Sequence, residues 1–407
     1  MSVEPTPRGR TRKYLDRQEA IIQAASRILN QKGLKGMTLG DIGEQLKLVP
    51  TGVAYYFANK EEVAAACFLR SIDTFERLIR DAASEPTVPA RLGRLIRAYF
   101  EFRERVARGE ESENAQLDDV RALGDARVID AYVNMFRQTR ALFTPPGGRE
   151  IQRPAMNARV HLLLQQFLWM EAWIGRYDPD DFGRASDRIT DIILNGIGAP
   201  DQAWSPIPLT LPAFPGNGQD DARETFLRAA THLINEQGYH GASVDRISAR
   251  LDVTKGSFYH HIDAKDDLVV ICFGRTTDVV RNTQVAAQRL PLDGLGRLAS
   301  ALTSLLEHQL RGDAPLLRAA TVSLPAGIRQ EVLMDYERNA VRFGSMISDG
   351  LADSSLRRVD VQIAAQVVTA AVNAMGELPY WLPDPPGDLA GEWFLRPLFE
   401  GLAADLG

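Results

Sequence analysis

Lys255, Ser257, Tyr259, His260 and His261 fall within seven residues, and Lys265 follows shortly after. Hydroxyl, phenol, imidazole and ammonium groups packed that densely are hydrogen-bond partners and cations. They are equipped to meet base edges and phosphates, not to make or break bonds. A second run, Pro50, Thr51, Gly52, Ala54, Tyr55 and Tyr56 followed by Lys60, holds the matching positions, with an offset of 205 residues from Lys60 to Lys265. The sequence has no paired CxxC, HExxH, phosphate-binding glycine loop or Gly-x-Ser-x-Gly elbow, so no catalytic constellation is present. His161, His232, His240 and His308 are scattered. Neighbouring His260 and His261 would point about 100° apart on a helix, which is poor geometry for a shared metal. No enzyme activity, metal or cofactor is expected.

Both runs sit inside a duplication. Glu19 to Phe68 aligns without a gap to Glu224 to Phe273. Self-similarity at so long a period marks a repeated domain, not a solenoid unit. It reads as the two subunits of a homodimer written into one polypeptide. Ile21, Ala24, Ala25, Ile28 and Leu29 recur at helical spacing, as do Phe226, Ala229, Ala230, Leu233 and Ile234, so each copy opens with an amphipathic helix. Gly33 and Gly238 are expected to stop it. Thr38 and Ser243 are placed to cap a second, two-turn helix that buries Leu39, Ile42 and Leu46, or Val244, Ile247 and Leu251. A break at Lys47-Leu48 or Asp252-Val253 leads to a third, short helix, Pro50 to Tyr56 or Lys255 to His261, before Lys60 and Lys265 open a longer one. Two short helices joined by a tight turn and buttressed by a first form a helix-turn-helix, whose last helix enters the major groove of double-stranded DNA.

The segment Val253 to Ile262 followed by Lys265 resembles the signature of the tetracycline-repressor (TetR) family of bacterial regulators, and Leu48 to Phe57 followed by Lys60 resembles a variant of it. The resemblance covers about fifty residues of each copy. It implies an all-α dimeric repressor with a variable ligand-binding region behind each DNA-binding head. Carried over by position, it implies that Ser257, Tyr259 and His260 face the groove, that His261 and Lys265 hold phosphates, and that Lys255 reaches either. In the first copy the matching positions are Gly52, Ala54, Tyr55, Tyr56 and Lys60, with Thr51 beside them. Thr38 and Ser243 complete the expected DNA-facing set. Ala54 stands where Tyr259 has a phenol and Pro50 where Lys255 has a charge, so the two heads do not read DNA identically.

The 407-residue chain, 45% hydrophobic and 25% charged, is long enough for several cored domains. It lacks an apolar run of membrane-spanning length and an apolar signal core, so a cytoplasmic location is expected. A net charge of −6 does not oppose DNA binding, because phosphate attraction acts locally. Arg8, Arg10, Arg12 and Lys13 form a basic arm that reads either as a phosphate or minor-groove contact or as a solvated terminus. Cys67 and Cys272 are equivalent and read as buried core thiols.

The expected organisation is an arm at 1–13, a first head at 14–80, a first helical ligand-binding and dimerisation domain at 81–198, a linker at 199–219, a second head at 220–285 and a second helical domain at 286–407. Ala199 to Gln219 carries five prolines and should run extended, spanning roughly 60 Å at PPII rise. Trp204 and Phe214 are expected to pin it to the surface. Helices are expected over Ala90 to Val106, Leu117 to Leu123, Arg127 to Phe143, Ala155 to Arg176, Asp181 to Ile197, Ala364 to Trp381 and Glu392 to Ala404. The resemblance implies that the last two of each copy form a four-helix interface, here internal to one chain, with further pairing of whole chains possible.

The first copy is aromatic where the second is not. Tyr99, Phe102, Tyr132, Phe136, Phe167, Trp169 and Trp173 correspond to Ser304, Glu307, Glu337, Val341, Val372, Ala374 and Leu378. These rings suit a pocket for an apolar or aromatic small-molecule effector, and they equally suit plain core or interface. The expected function is a ligand-responsive regulator, in the first instance a repressor, on an asymmetric operator. In the alternative, one head is active and the other vestigial.

Overall fold

Apart from one isolated bridge between Gly198 and Leu356, the regular elements among the described residues are helices. The structure is a computed structural model describing residues 11–117, 120–144, 151–209, 219–241, 243–253, 265–311, 324, 326–383, 389–404 and 406. Lys255, Ser257, Tyr259, His260, His261 and Phe214 lie outside the described residues.

The first head is built as its sequence predicts. Helix α1 (Arg12–Gly36) buries Ile21, Ala24, Ala25, Ile28 and Leu29. Gly33, at φ 65°, breaks its helical geometry, and the Met37 N–H closes back onto the Gly33 carbonyl at 3.1 Å. Thr38 caps α2 (Leu39–Gln45) in a reciprocal box with Asp41. The turn that follows passes through Lys47 at φ 54°, and the Leu48 N–H reaches the Gly43 carbonyl at 2.7 Å. A Cβ on Gly43 would lie 2.7 Å from the Leu48 oxygen, so this close approach favours glycine. Pro50 opens α3 (Pro50–Ala54), and Asn59 caps α4 (Lys60–Ala82).

The second head repeats these details wherever it is described. Helix α10 (Gln219–Gly241) runs on past Gly238, the stop expected from the sequence. Ser243 caps α11 (Val244–Arg250), and Asp252 takes φ 53° where Lys47 takes 54°. Ser248 stands where the first copy has Gly43, and the equivalent bond from Val253 N–H relaxes to 3.0 Å. In α4 the Cys67 thiol donates to the Ile22 carbonyl at 3.5 Å. In α12 (Lys265–Gln288) the Cys272 thiol donates to the Leu227 carbonyl at 3.7 Å. Arg70 pairs with Glu19 as Arg275 pairs with Glu224.

Behind the first head lie α5 (Val88–Ala107), α6 (Val120–Leu123), α7 (Ala126–Leu142), α8 (Arg153–Met170) and α9 (Phe182–Asn195). Behind the second lie α13 (Gly294–Arg311), α14 (Ala326–Ala352), α15 (Val361–Ala374), α16 (Leu378–Trp381) and α17 (Arg396–Glu400), the last entered through a π turn at Gly391–Leu395. The helix expected over Ala155 to Arg176 ends at Met170 and resumes as a 3₁₀ turn, Ile174–Arg176. The one expected to Trp381 breaks at the equivalent place, after Ala374. There Pro379, without an N–H, forbids an unbroken ladder.

The two halves pack through α8, α9, α15 and the C-terminal segment, and the contacts are reciprocal. The Ile197 N–H donates to the Leu398 carbonyl at 3.2 Å, and the Leu402 N–H to the Ile193 carbonyl at 2.9 Å. His161 Nε2 meets the Ala374 carbonyl at 2.9 Å, and Trp169 Nε1 donates to Gln366 at 2.9 Å, with 161 equivalent to 366 and 169 to 374. Residue i touching j while j′ touches i′ is the mark of an isologous two-fold interface. The fold is thus a tandem all-α duplication closed into an intrachain pseudo-dimer. The first helices of the two heads adjoin, and Arg329 of α14 donates to the Gln31 carbonyl at 2.7 Å. Trp204 lies on the Phe399 ring, with centroids 5.0 Å apart. Beyond it the chain runs along α13, with Ile207 and Leu209 N–H groups bonded to Ser300 and Ser304 at 2.8 Å.

Candidate nucleic-acid interface and effector cavity

Helix α3 presents Thr51, Ala54 and Tyr55 to solvent, with Gly52 and Tyr56 half-buried and Val53 fully buried as its anchor. Tyr55 is 73% exposed, a large aromatic surface with no packing role on its outer side. Tyr14, at the start of α1, closes a ring cluster with it: Tyr14 to Tyr56 is 4.8 Å between centroids, Tyr55 to Tyr56 5.1 Å and Tyr14 to Tyr55 6.1 Å. Arg12 and Lys13, expected in an arm, are instead the exposed first two residues of α1, directly before Tyr14 of this cluster. The second copy has Gln219 at the position of Tyr14, so the device belongs to the first head.

Two DNA-facing candidates have structural partners. The Thr38 hydroxyl donates to Asp41 at 2.7 Å and accepts from its N–H at 3.1 Å. Lys32, hydrogen-bonded to Asp41 at 2.6 Å, and Thr38 hold that carboxyl below the usual range. Lys60 Nζ donates to the Leu34 and Lys35 carbonyls, each at 3.2 Å, and so closes the C-terminal end of α1. In the second copy Ser243 accepts from the Arg246 N–H at 3.3 Å, and Lys265 begins α12.

Four of the seven predicted aromatics, Tyr99, Phe102, Tyr132 and Phe167, line one cavity of about 60 Å³ between α4, α5, α7 and α8. Phe136, Trp169 and Trp173 lie outside it. Phe136 stacks flat on Trp381 of the other half at 3.6 Å, and Trp169 leans on Tyr336 at 6.1 Å. Trp173 is buried edge-on to Tyr177. The reciprocal counterpart of the Phe136, Tyr132 and Trp381 group is ionic, Arg176 on Glu337, so one interface patch is aromatic on one side of the pseudo-axis and charged on the other.

Phe75 completes the cavity, 5.2 Å from Phe167, and Tyr99 is 4.9 Å from Phe167. At its polar end the Tyr99 phenol donates to Glu171 at 2.7 Å, and Arg103 pairs with the other Glu171 oxygen at 2.8 Å. Burial, followed by the Glu171 charge, pushes the Tyr99 pKa well up, so the phenol is a neutral donor. Sequence reasoning missed Phe75, Arg103 and Glu171. A helical signal for two of them exists, since Arg103 lies four residues after Tyr99 and Glu171 four after Phe167.

The remaining wall is the segment Asn114 to Leu117, and it is tied to the head. Asn30 of α1 donates to the Asn114 carbonyl and to Glu113, both at 2.8 Å, and accepts from the Gln116 N–H at 2.8 Å. Arg70 of α4 donates to the Ser112 carbonyl at 3.4 Å.

The model of the bacterial regulatory proteins, tetR family, matches residues 21–67 and 226–270. The chain is 32% identical over 87 residues to the Transposon Tn10 TetC protein of Escherichia coli, spanning 21% of this chain and 42% of that protein. It is 28% identical over 145 residues to the HTH-type transcriptional repressor DhaR of Mycobacterium sp. (strain GP1), spanning 33% of this chain and 70% of that one. The first of these matches thus covers less than half of the relative's length. Among solved structures, the TetR family transcriptional regulator PfmR from Thermus thermophilus aligns at 20% identity with a TM-score of 0.37, over 44% of this chain and 98% of its own. With one matched DNA-binding unit in each half, the chain belongs to the tetR family of bacterial regulatory proteins as two tandem units in a single polypeptide.

Proposed function

We propose that this regulator is a repressor that holds an asymmetric operator through two non-identical heads and releases it when a small apolar or aromatic effector enters the first-half cavity. The observation that carries the reading is the Asn30 clamp, which joins the cavity wall at 113–116 directly to α1 of the first head. A volume of about 60 Å³ is far below the 300–1,000 Å³ of a typical ligand pocket, so a ligand must push its wall outward. The easiest wall to move is the irregular 112–117 segment, and Asn30 carries that movement to the head. The effector then acts only as far as it prefers the expanded state over the DNA-bound one.

The asymmetry follows from the recognition helices. Pro50, Gly52 and Ala54 replace Lys255, Ser257 and Tyr259, while the Tyr14 cluster and the basic arm belong to the first head alone. A footprint on the chain's own upstream DNA, combined with its mass in solution, tests the reading. Protection of two unequal half-sites by a single chain is expected. A perfect palindrome, or protection only by two chains, would overturn it. The engagement of Lys60 by α1 carbonyls favours a second reading, in which the first head is a structural passenger and one half-site is protected.

A further inference from the structure

Arg103 holds one hydrogen-bond donor in reserve at the polar end of the cavity. Its Nη2 is spent on Glu171 at 2.8 Å, and its side chain is 16% exposed. Among the described residues, its buried Nε meets no hydrogen-bond partner. The second Glu171 oxygen is engaged by the Tyr99 phenol at 2.7 Å. Phe75, Phe102, Tyr132 and Phe167 supply an apolar surround. A buried donor left unsatisfied is costly, so an acceptor admitted as the cavity expands gains by reaching it.

Charge decides what kind of acceptor. Among the described lining residues Arg103 and Glu171 are the charged pair and they cancel, so this end of the cavity is neutral. A carboxylate ligand would place a second negative charge beside Glu171 in a poorly solvated site. An ammonium ligand would compete for Glu171 and leave the guanidinium without its counter-ion. A carbonyl oxygen satisfies Nε and leaves the ion pair intact. Resting on the reading of this cavity as the effector site, we propose that the effector is an uncharged, carbonyl-bearing apolar molecule, of the ester or ketone class. Its carbonyl accepts from Arg103 Nε, and its hydrocarbon body lies among the four rings. The equivalent positions in the second half are Ser304, His308 and Gly376, so this polar end is particular to the first half.

Three probes that share one body separate the possibilities: methyl 3-phenylpropanoate, 3-phenylpropanoate and 3-phenylpropyltrimethylammonium, titrated calorimetrically into the full chain. The ester is expected to bind at least tenfold tighter than either charged probe. Arg103→Lys keeps a cation against Glu171 and removes Nε, and it should weaken the ester about tenfold, as should Arg103→Met; cooperative thermal unfolding of both variants establishes that they fold. Tighter binding of a charged probe, or ester binding indifferent to Arg103, overturns the assignment while the cavity stands. Failure of all three probes to bind wild type overturns the cavity reading itself.

Discussion

Gly196 and Gly401 occupy equivalent places in the two halves, and each lets the other half's backbone come into contact. Their φ values are 67° and 101°. A Cβ on Gly196 would strike the Phe399 carbonyl, and one on Gly401 would strike the carbonyl of Leu194. Leu194 and Phe399 are themselves equivalent, so one contact is made twice about the pseudo-axis. This is how two halves that differ in most of their side chains still close as a symmetric pair: the symmetric part is backbone.

Substituting either glycine therefore tests the interface directly. Gly196→Ala and Gly401→Ala each impose a left-handed backbone on a side chain and drive it into a carbonyl. Each should cost about 2–4 kcal/mol of stability, by similar amounts. Chemical denaturation of the full chain measures this. A change under about 0.5 kcal/mol in either variant, the range of an ordinary surface site, would mean that the halves do not meet there.

Much of this was legible in the sequence, because the duplication let each half be checked against the other. The stripe from Ile21 to Leu29, the caps at Thr38 and Ser243 and the helix opened by Lys60 all follow from local spacing. What remained hidden depends on distant partners. Helical periodicity put Tyr132 and Phe136 on one face, yet only Trp381, far along the chain, decides that Phe136 faces the other half. The left-handed turns at Lys47 and Asp252 carry no glycine to announce them. Asn30 belongs to no motif, and its role appears only when the 113–116 segment folds back onto α1.

The clamp makes a prediction about coupling. Asn30→Ala removes three hydrogen bonds between the cavity wall and α1 and leaves every lining side chain in place. Effector affinity should change by less than about threefold, while the effector's ability to weaken DNA binding, ordinarily worth about 1–3 kcal/mol in such systems, should largely vanish. Fluorescence anisotropy of operator DNA with and without effector reads this. Full retention of the effector response would route the signal elsewhere, through α4 for instance.

The two thiols should be inert in the native state. Burial pushes the Cys67 pKa up to about 12 and that of Cys272 to about 11. At pH 8 both are then almost wholly thiol, and thiolate is the reactive form. A chromogenic disulfide reagent should label neither cysteine at pH 8 until denaturant is added. Labelling then should report two thiols per chain. Rapid modification of the native protein would mean that the heads open at α4 or α12.

The Tyr14 cluster predicts a lopsided loss of DNA affinity. Tyr14→Ala frees the start of α1 and removes the ring that supports Tyr55 and Tyr56, leaving the second head, which has Gln219 in its place, unaltered. Arg12 and Lys13, directly before Tyr14 in α1, then lose their fixed position. Stacking and placement of two cations are together worth about 1–2 kcal/mol, so affinity should fall roughly tenfold, and the fall should shrink as salt rises and phosphate contacts weaken. Hydroxyl-radical footprinting locates the loss: protection should fade over one half-site and persist over the other. If both fade equally, the variant has disturbed the pairing of the heads. If neither fades, the first head contributes no contact through its arm, and the passenger reading of that head gains the advantage.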